Sequence, residues 1–496
     1  MLIEKNISTL IDLAIKKELI TEQDKNYCAN RIIAILKLEE FHFTEDLFVG
    51  SIADIIDSII DYAVKNNIIE DLFDLKEILA ANIMNVFVSK PTEINNIFYE
   101  KYYNSPEDAT KYFYKLSCNS NYIQTKRIAK NIVYKSSTDY GDLDITINMS
   151  KPEKNPKDIA AQRNKKSSNY PKCLLCIENE GYEGKIGNVA RANHRLIQLD
   201  LCSESWKFQY SPYSYYNEHC IILSDIHRDM KISKETFEKL LSFVEIFPHY
   251  FLGSNADLPI VGGSILTHDH YQGGCYEFAM AKADDEFKFK VDKFKKVEFS
   301  VVKWPMSVIR VKSKNKQDII DVGTHIFELW KNYSDPDVDI HAFTGKDPHN
   351  TITPIARIKN GLYEMDFVLR NNKTSEEHPL GIYHPHKDVQ HIKKENIGLI
   401  EVMGLAVLPA RLKDELQEVQ DFILNIGNNV ADCHKEWAIS LKEKYKDTAN
   451  ENNIREIVRK EVGNKFLRVL QDAGVFKCDK KGIKAFKKFI SILQKI

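Results

Sequence analysis

Gly262-Gly263-Ser264-Ile265-Leu266-Thr267-His268-Asp269-His270-Tyr271-Gln272-Gly273-Gly274 sets two imidazoles and a carboxamide at alternate positions between glycine pairs. Side chains of an extended chain alternate between faces, so the spacing predicts a strand with His268, His270 and Gln272 on one face and Asp269 and Tyr271 on the other. Glycine lacks Cβ, so Gly262, Gly263 and the pair at the far end leave room for another backbone or a phosphate to come close. A His-X-His pair alone is commonly two satisfied histidines in an ordinary strand. The glycines and Gln272 turn the expectation toward a phosphate ligand.

The rest of the chain limits what that ligand site can belong to. At 496 residues there is length for several domains and a sizeable core. Lys plus Arg number 69 against 71 Asp plus Glu, a formal charge of −2, which offers no broad cationic surface to nucleic acid or an acidic membrane. Any anion site is therefore local. Nine irregularly spaced cysteines and no signal peptide predict a reducing, cytoplasmic setting rather than a disulfide scaffold. The opening MLIEKNISTLIDLAIKKELI mixes acids and lysines into its apolar pattern and reads as an amphipathic helix. No apolar run approaches the ~20 residues that span a bilayer.

Residues 1–120 show apolar positions at three- and four-residue steps, as in Ile52, Ile55, Ile56, Ile59 and Ile60, and are expected to form a helical extension. From 121 the pattern changes to short β-branched stretches, Ile132-Val133-Tyr134 and Ile145-Thr146-Ile147, punctuated by Tyr140-Gly141-Asp142. Asn155 to Ser168 is polar and lysine-rich and reads as a surface loop. Glu218 to Ser224 is strand-like. After it, Ser233 caps a helix with Glu235 in the first turn and Phe237, Leu240, Leu241, Val244 and Phe247 in one stripe. These signals divide the chain into 1–120, a catalytic half at 121–297, a second half at 298–450 with strands near Val301 to Val311 and Tyr363 to Leu369, and a helical tail at 451–496.

Two groups of residues carry chemistry. Cys173-X-X-Cys176 binds metal, exchanges thiols or is two buried cysteines; as metal ligands the pair needs two histidines, from His194, His219, His227, His249 and His268. His270 suits attack on phosphorus, since a neutral imidazole with one nitrogen held as a donor leaves the other free. Gln272 donates a hydrogen bond but no proton, so a site built from these two favours transfer between phosphates over hydrolysis.

His268-X-His270-X-Gln272 resembles the transferase branch of the histidine-triad superfamily. The likeness extends to Tyr140 to Asn148, Asn179-Glu180-Gly181-Tyr182, Phe208 to Tyr213, Tyr216 to Cys220, His349 to Pro354 and His384-Pro385-His386-Lys387-Asp388. Together these stretches are similar to the longer, second type of galactose-1-phosphate uridylyltransferase, over about Tyr122 to Leu412. The resemblance implies an α+β fold with histidine-triad-like antiparallel sheet halves, packed helices and an all-helical N-terminal extension.

It also implies a ping-pong reaction in which His270 takes UMP from UDP-glucose and hands it to galactose 1-phosphate, with Gln272 holding the phosphoryl oxygen. Asn255, Gly262, Gly263 and Ser264 match the lining of the phosphate site, and Asn193 falls where the family contacts uridine or ribose. Arg127 is a candidate for steering phosphates. The shorter type's zinc ligands match Cys173, Cys176, His227 and His268, with His219 close enough in sequence to compete for the third place. His384-Pro385-His386 copies the shorter type's tripeptide but lacks the glutamine and the glycines, and is read as a loop, or as a metal or substrate contact of the second half. A homodimer is expected by analogy. Two rivals use the same residues: a dinucleoside polyphosphate phosphorylase, and a zinc-stabilised nucleotide-binding module without turnover.

Overall fold

The structure is a computed structural model that describes residues 2–150, 169–189, 191–263 and 265–495. The expected loop at 155–168 and Ser264 lie outside the described residues. The chain forms two compact units, one of Met1–Lys130, Ser150–Arg228 and His268–His270, the other of Asn131–Met149, Asp229–Thr267 and Tyr271–Ile496.

In the first unit the helices Leu2–Lys16, Lys25–Leu36, Ile52–Lys65, Phe73–Asn85, Pro91–Asn104 and Pro106–Asn119 follow one another. Local chemistry sets their ends. Ser51 accepts a hydrogen bond from the Asp54 amide, and Asp54 accepts from the Ser51 amide at 2.9 Å, so two orphan donors are satisfied at once. Ser105 caps the last helix and Pro106 opens it, where the missing N–H costs nothing. The isoleucines predicted as one stripe are buried against Ile7, Leu10, Ile11 and Ile32. The antiparallel strands Ile197–Leu201, Glu204–Tyr210 and Cys220–Ser224 are joined to the helices by aromatic rings, with Phe113 lying edge-on to Phe208 at 5.4 Å.

In the second unit antiparallel pairing runs from residues 271–274 to Phe251–Gly253, then through Asn350–Lys359, Leu362–Asn371, Val308–Ser313 and Glu298–Val302 to Asp285–Phe289. The long hairpin turns at Asn360-Gly361, both at positive φ (53° and 72°), the pair a tight primed turn requires. Helices Lys234–Ile246 and Lys316–Lys331 cover the sheet, and Gly323 lets Phe367 approach to 2.7 Å of where a Cβ would stand. Arg310 and Arg357 share Asp366, which is fully buried, so both charges are paired inside the unit.

A smaller sheet combines Ile132–Thr138, Gly141–Asn148 and Leu405–Pro409, the last parallel to the second. Helix Ile454–Ala473 packs against it through Gly463, where an added Cβ would fall 1.8 Å from Ser136 Oγ. Three expected strands are shorter than read: Val301 to Val311 is broken at 303–307, Glu218 to Ser224 begins only at Cys220, and the histidine stretch is strand only over His270–Gly274. No described helix is long and apolar enough to cross a membrane.

Gly463→Ala tests the helix packing by sign. Helix propensity alone would stabilise the variant by about 1 kcal/mol, whereas the clash with Ser136 is expected to destabilise it by about 1–3 kcal/mol in urea unfolding. Adding Ser136→Gly should recover most of the loss. A Gly463→Ala protein at least as stable as the parent would contradict the packing.

Candidate functional site

The histidine stretch bends before it becomes a strand. His268 sits at a bend, and its ring is fixed from two sides: Nε2–H donates to the Ser224 carbonyl at 2.8 Å, and Nδ1 lies 3.2 Å from Cys173 Sγ. The Ser224 amide in turn donates to the Asp269 carbonyl at 3.0 Å, and the Asp269 amide to the Arg228 carbonyl at 2.8 Å. Asp269 is directed to Arg228, whose guanidinium meets its carboxylate at 3.1 and 3.2 Å. Nothing in the local sequence pointed to Arg228, 41 residues upstream.

With Nε2 of His268 committed as a donor, Nδ1 presents its lone pair to the cysteines. His227 Nδ1 lies 3.2 Å from Cys176 Sγ, the two sulfurs are 3.6 Å apart, and one ligand atom from each of the four residues lies within 4.8 Å of the others. Two thiols and two imidazoles in reach of one point are a metal-binding donor set. His219 is outside that group and is stacked on Tyr216 at 4.5 Å. Burial pushes the Cys176 thiol up to about 11. Burial also works against the Cys173 thiolate, but the His268 ring, when protonated, and the Leu175 amide hold that thiol below its ordinary value.

His270, two residues on, is buried, and its Nδ1–H donates to the His268 carbonyl at 2.7 Å. That bond selects the tautomer and leaves Nε2 with its lone pair. Burial drives the imidazole down to about 4, against the pull of the same hydrogen bond. Gln272 is half-buried and pairs in register with Gly253.

The glycine pair has two separate reasons. A Cβ on Gly262 would stand 2.6 Å from the Ala256 carbonyl, so this glycine admits another backbone; one on Gly263 would stand 2.7 Å from Asn255 Nδ2. Asn255 is 4% exposed.

Arg127 and Asn193 line one cavity together with Glu77, Gln124, Lys130 and Arg191. Arg127 is not a free cation there: it and Arg191 both bind the buried Glu77 carboxylate. Asn193 donates to the Ser120 carbonyl at 2.8 Å, and its Oδ1 is buried without a hydrogen-bond partner among the described residues. Its neighbours are structural. Arg195 donates to the backbone carbonyls of Ser89, Val88, Ala192 and His194, and His194 is stacked on Tyr122 at 5.4 Å. His386 stacks on His378 at 4.2 Å and contacts the Ile382 carbonyl at 3.0 Å, while His384 is buried, so His384-Pro385-His386 lies in a self-bonded loop.

Residues 18–229 match the family described as galactose-1-phosphate uridyl transferase, N-terminal domain, and residues 242–439 match its C-terminal domain. A galactose-1-phosphate uridylyltransferase of Clostridium acetobutylicum is 53% identical over 99% of this chain and 100% of its own length. Galactose-1-phosphate uridylyltransferase 1 of Streptococcus pneumoniae is 52% identical over 98% of each chain. The crystal structure of a yeast Ap4A phosphorylase is similar at a TM-score of 0.30 and 11% identity, covering 60% of this chain and 89% of its own. At that level the likeness carries no argument about fold or reaction.

His194 makes a pH prediction. Burial, aided by Arg195 and Arg191 and opposed by the Arg191 carbonyl, pushes its imidazole from 6.5 down to about 4. Between those values the unfolded chain takes up a proton that the folded chain refuses, so this contribution is complete above pH 6.5 and is lost as pH falls toward 4. His194→Asn, which keeps a donor for the Arg191 carbonyl, should flatten the loss of stability between pH 7 and 5 by up to about 1.4 kcal/mol per pH unit. An unchanged slope in urea titrations would contradict the assignment.

Proposed function

Because this chain belongs to the galactose-1-phosphate uridylyltransferase family, we propose that its uridylyl transfer between a UDP-sugar and a sugar 1-phosphate runs through a covalent adduct on His270. The enzyme is a nucleotidyltransferase. The observation that carries the covalent route is the 2.7 Å bond from His270 Nδ1–H to the His268 carbonyl, which aims a bare Nε2 away from the tether.

In the first half-reaction Nε2 attacks the α-phosphorus of UDP-glucose. The bond from that phosphorus to the bridging oxygen breaks, glucose 1-phosphate leaves, and UMP remains on the ring through a P–N bond. No proton moves. The ring gains positive charge as the P–N bond forms, and the Nδ1–H bond to a carbonyl strengthens with it. In the second half-reaction a phosphate oxygen of galactose 1-phosphate attacks the same phosphorus, the P–N bond breaks and the neutral imidazole returns. Gln272 and Asn255 supply amide donors to the nonbridging oxygens, where charge develops. Neither can activate water, which favours the phosphate acceptor. Gly262 and Gly263 line the phosphate site, Asn193 contacts the nucleoside, and Arg127 lends charge from the Glu77 cluster. The chain works in the cytosol on small nucleotide sugars, as a homodimer and apart from nucleic acid and membrane.

Cys173, Cys176, His227 and His268 would hold one Zn²⁺, an ion that thiolates and imidazoles suit, and their donor atoms stand 3.2, 3.2 and 3.6 Å from one another, close enough to share it. Four protein ligands would leave no open position, so the ion would serve to tie three segments of chain together.

Two measurements test this. With UDP-glucose and labelled glucose 1-phosphate alone, label should enter UDP-glucose, and His270→Gly should lower that exchange by at least about four orders of magnitude while remaining folded. Folded, active enzyme without exchange would sink the covalent route. Elemental analysis should find zinc in the parent and little in Cys173→Ser; equal zinc in both would retire the site.

A further inference from the structure

Asn255 has a carboxamide with one accepting and one donating end, and the end that faces inward is settled by a distant residue. The Leu399 amide donates to Asn255 Oδ1 at 2.9 Å. A backbone N–H can only donate, so the oxygen must face Leu399 and the NH₂ must face the other way. That NH₂ abuts Gly263, within 2.7 Å of where a Cβ would be.

The Leu399 amide is itself held in place. Gly398 before it is extended, with φ −89° and ψ −171°, and its amide donates to Glu401 Oε2 at 3.2 Å. The other oxygen of Glu401 accepts from the buried Lys393 ammonium at 2.9 Å, and the Ile397 carbonyl accepts from the buried Arg370 guanidinium at 2.8 Å. The Leu399 side chain, 1% exposed, packs on Gly253, the register partner of Gln272; a Cβ on Gly253 would stand 2.7 Å from Leu399 Cδ1.

We infer that Leu399 is a positioning residue for phosphoryl transfer: its N–H locks the Asn255 carboxamide with the NH₂ toward the transferred phosphoryl group, while its side chain braces the strand partner of Gln272. The inference rests on Asn255 acting as a phosphoryl donor, as proposed above. Phosphoryl oxygens only accept, so a flipped carboxamide would aim its lone pairs at the developing negative charge. The loss therefore falls on the transition state more than on ground-state binding.

Leu399→Pro removes the N–H and little else of the backbone. Proline is tolerated at the first helical position, and the extended Gly398 suits the residue before it. Leu399→Ala loses the same side-chain packing but keeps the N–H and is the reference. Leu399→Pro should have kcat about tenfold below Leu399→Ala, with KM for UDP-glucose within about twofold. Asn255→Asp, isosteric and still an acceptor for Leu399, should lose about a hundredfold in kcat, a loss that a purely packing role would not produce.

The results separate cleanly. Asn255→Asp near parental kcat would overturn the donor role of Asn255 and the inference with it. Asn255→Asp impaired, with Leu399→Pro equal to Leu399→Ala, would overturn the positioning role alone. If Leu399→Pro does not fold, Glu401→Ala is expected to lower kcat at nearly constant KM and Glu401→Gln to restore it. Parental kcat in Glu401→Ala would overturn the positioning role.

Discussion

The carbonyl oxygen of His268 is what the proposed chemistry depends on. It accepts from His270 Nδ1 at 2.7 Å, and the residue that carries it is pinned through its own ring to the Ser224 carbonyl and to Cys173. A short bond to a mobile peptide would not select a tautomer or a direction. Here the peptide is flanked by the Asp269 backbone bonds to Ser224 and Arg228 and by the Asp269–Arg228 ion pair. The cysteine and histidine cluster thus fixes the peptide that orients the His270 ring, the nucleophile of the proposed reaction, as outer partners orient a metal's own ligands.

The carboxamide proposed to meet the phosphoryl group obeys a different constraint. A carboxamide is symmetric in shape and opposite in electrostatics at its two ends, so it is useful only if something forbids the flip. For Asn255 that is the amide of Leu399, 144 residues later, backed by the Glu401 carboxylate and the buried Lys393 ammonium. Buried charges of this kind are weak evidence for stability, but they hold geometry well. The Arg310, Arg357 and Asp366 group plays the same part inside the sheet.

What the sequence revealed follows from how local each signal is. The cap at Ser233 and the isoleucine stripe at 52–60 are short-range patterns, and the helices Lys234–Ile246 and Ile52–Lys65 lie where those patterns place them. The motif holds two residues of one type, and what separates them in the structure is their partners: Cys173 and the Ser224 carbonyl for the His268 ring, the His268 carbonyl for the His270 ring. The extent of the strand could not be read from the motif either. Alternation predicted extended chain from 262, but tertiary partners bend the segment until His270: the Ala256 carbonyl at Gly262 and the Arg228 carbonyl at Asp269. Leu399, Arg228 and Glu77 left no mark in the sequence, since each acts through a partner far along the chain. Arg127 looked like a free cation for the same reason, and Glu77 is what changes its role.

The central claim is that UMP rests on His270 between the two half-reactions. Mixing the enzyme with UDP-glucose, quenching in alkali, under which a phosphoramidate survives, and mapping the peptides by mass spectrometry tests it directly. One uridylyl group on the peptide that contains His270, discharged by adding galactose 1-phosphate before the quench, is the predicted result. An enzyme that turns over while its His270 peptide stays unmodified, or that carries the group on another residue, would contradict the account.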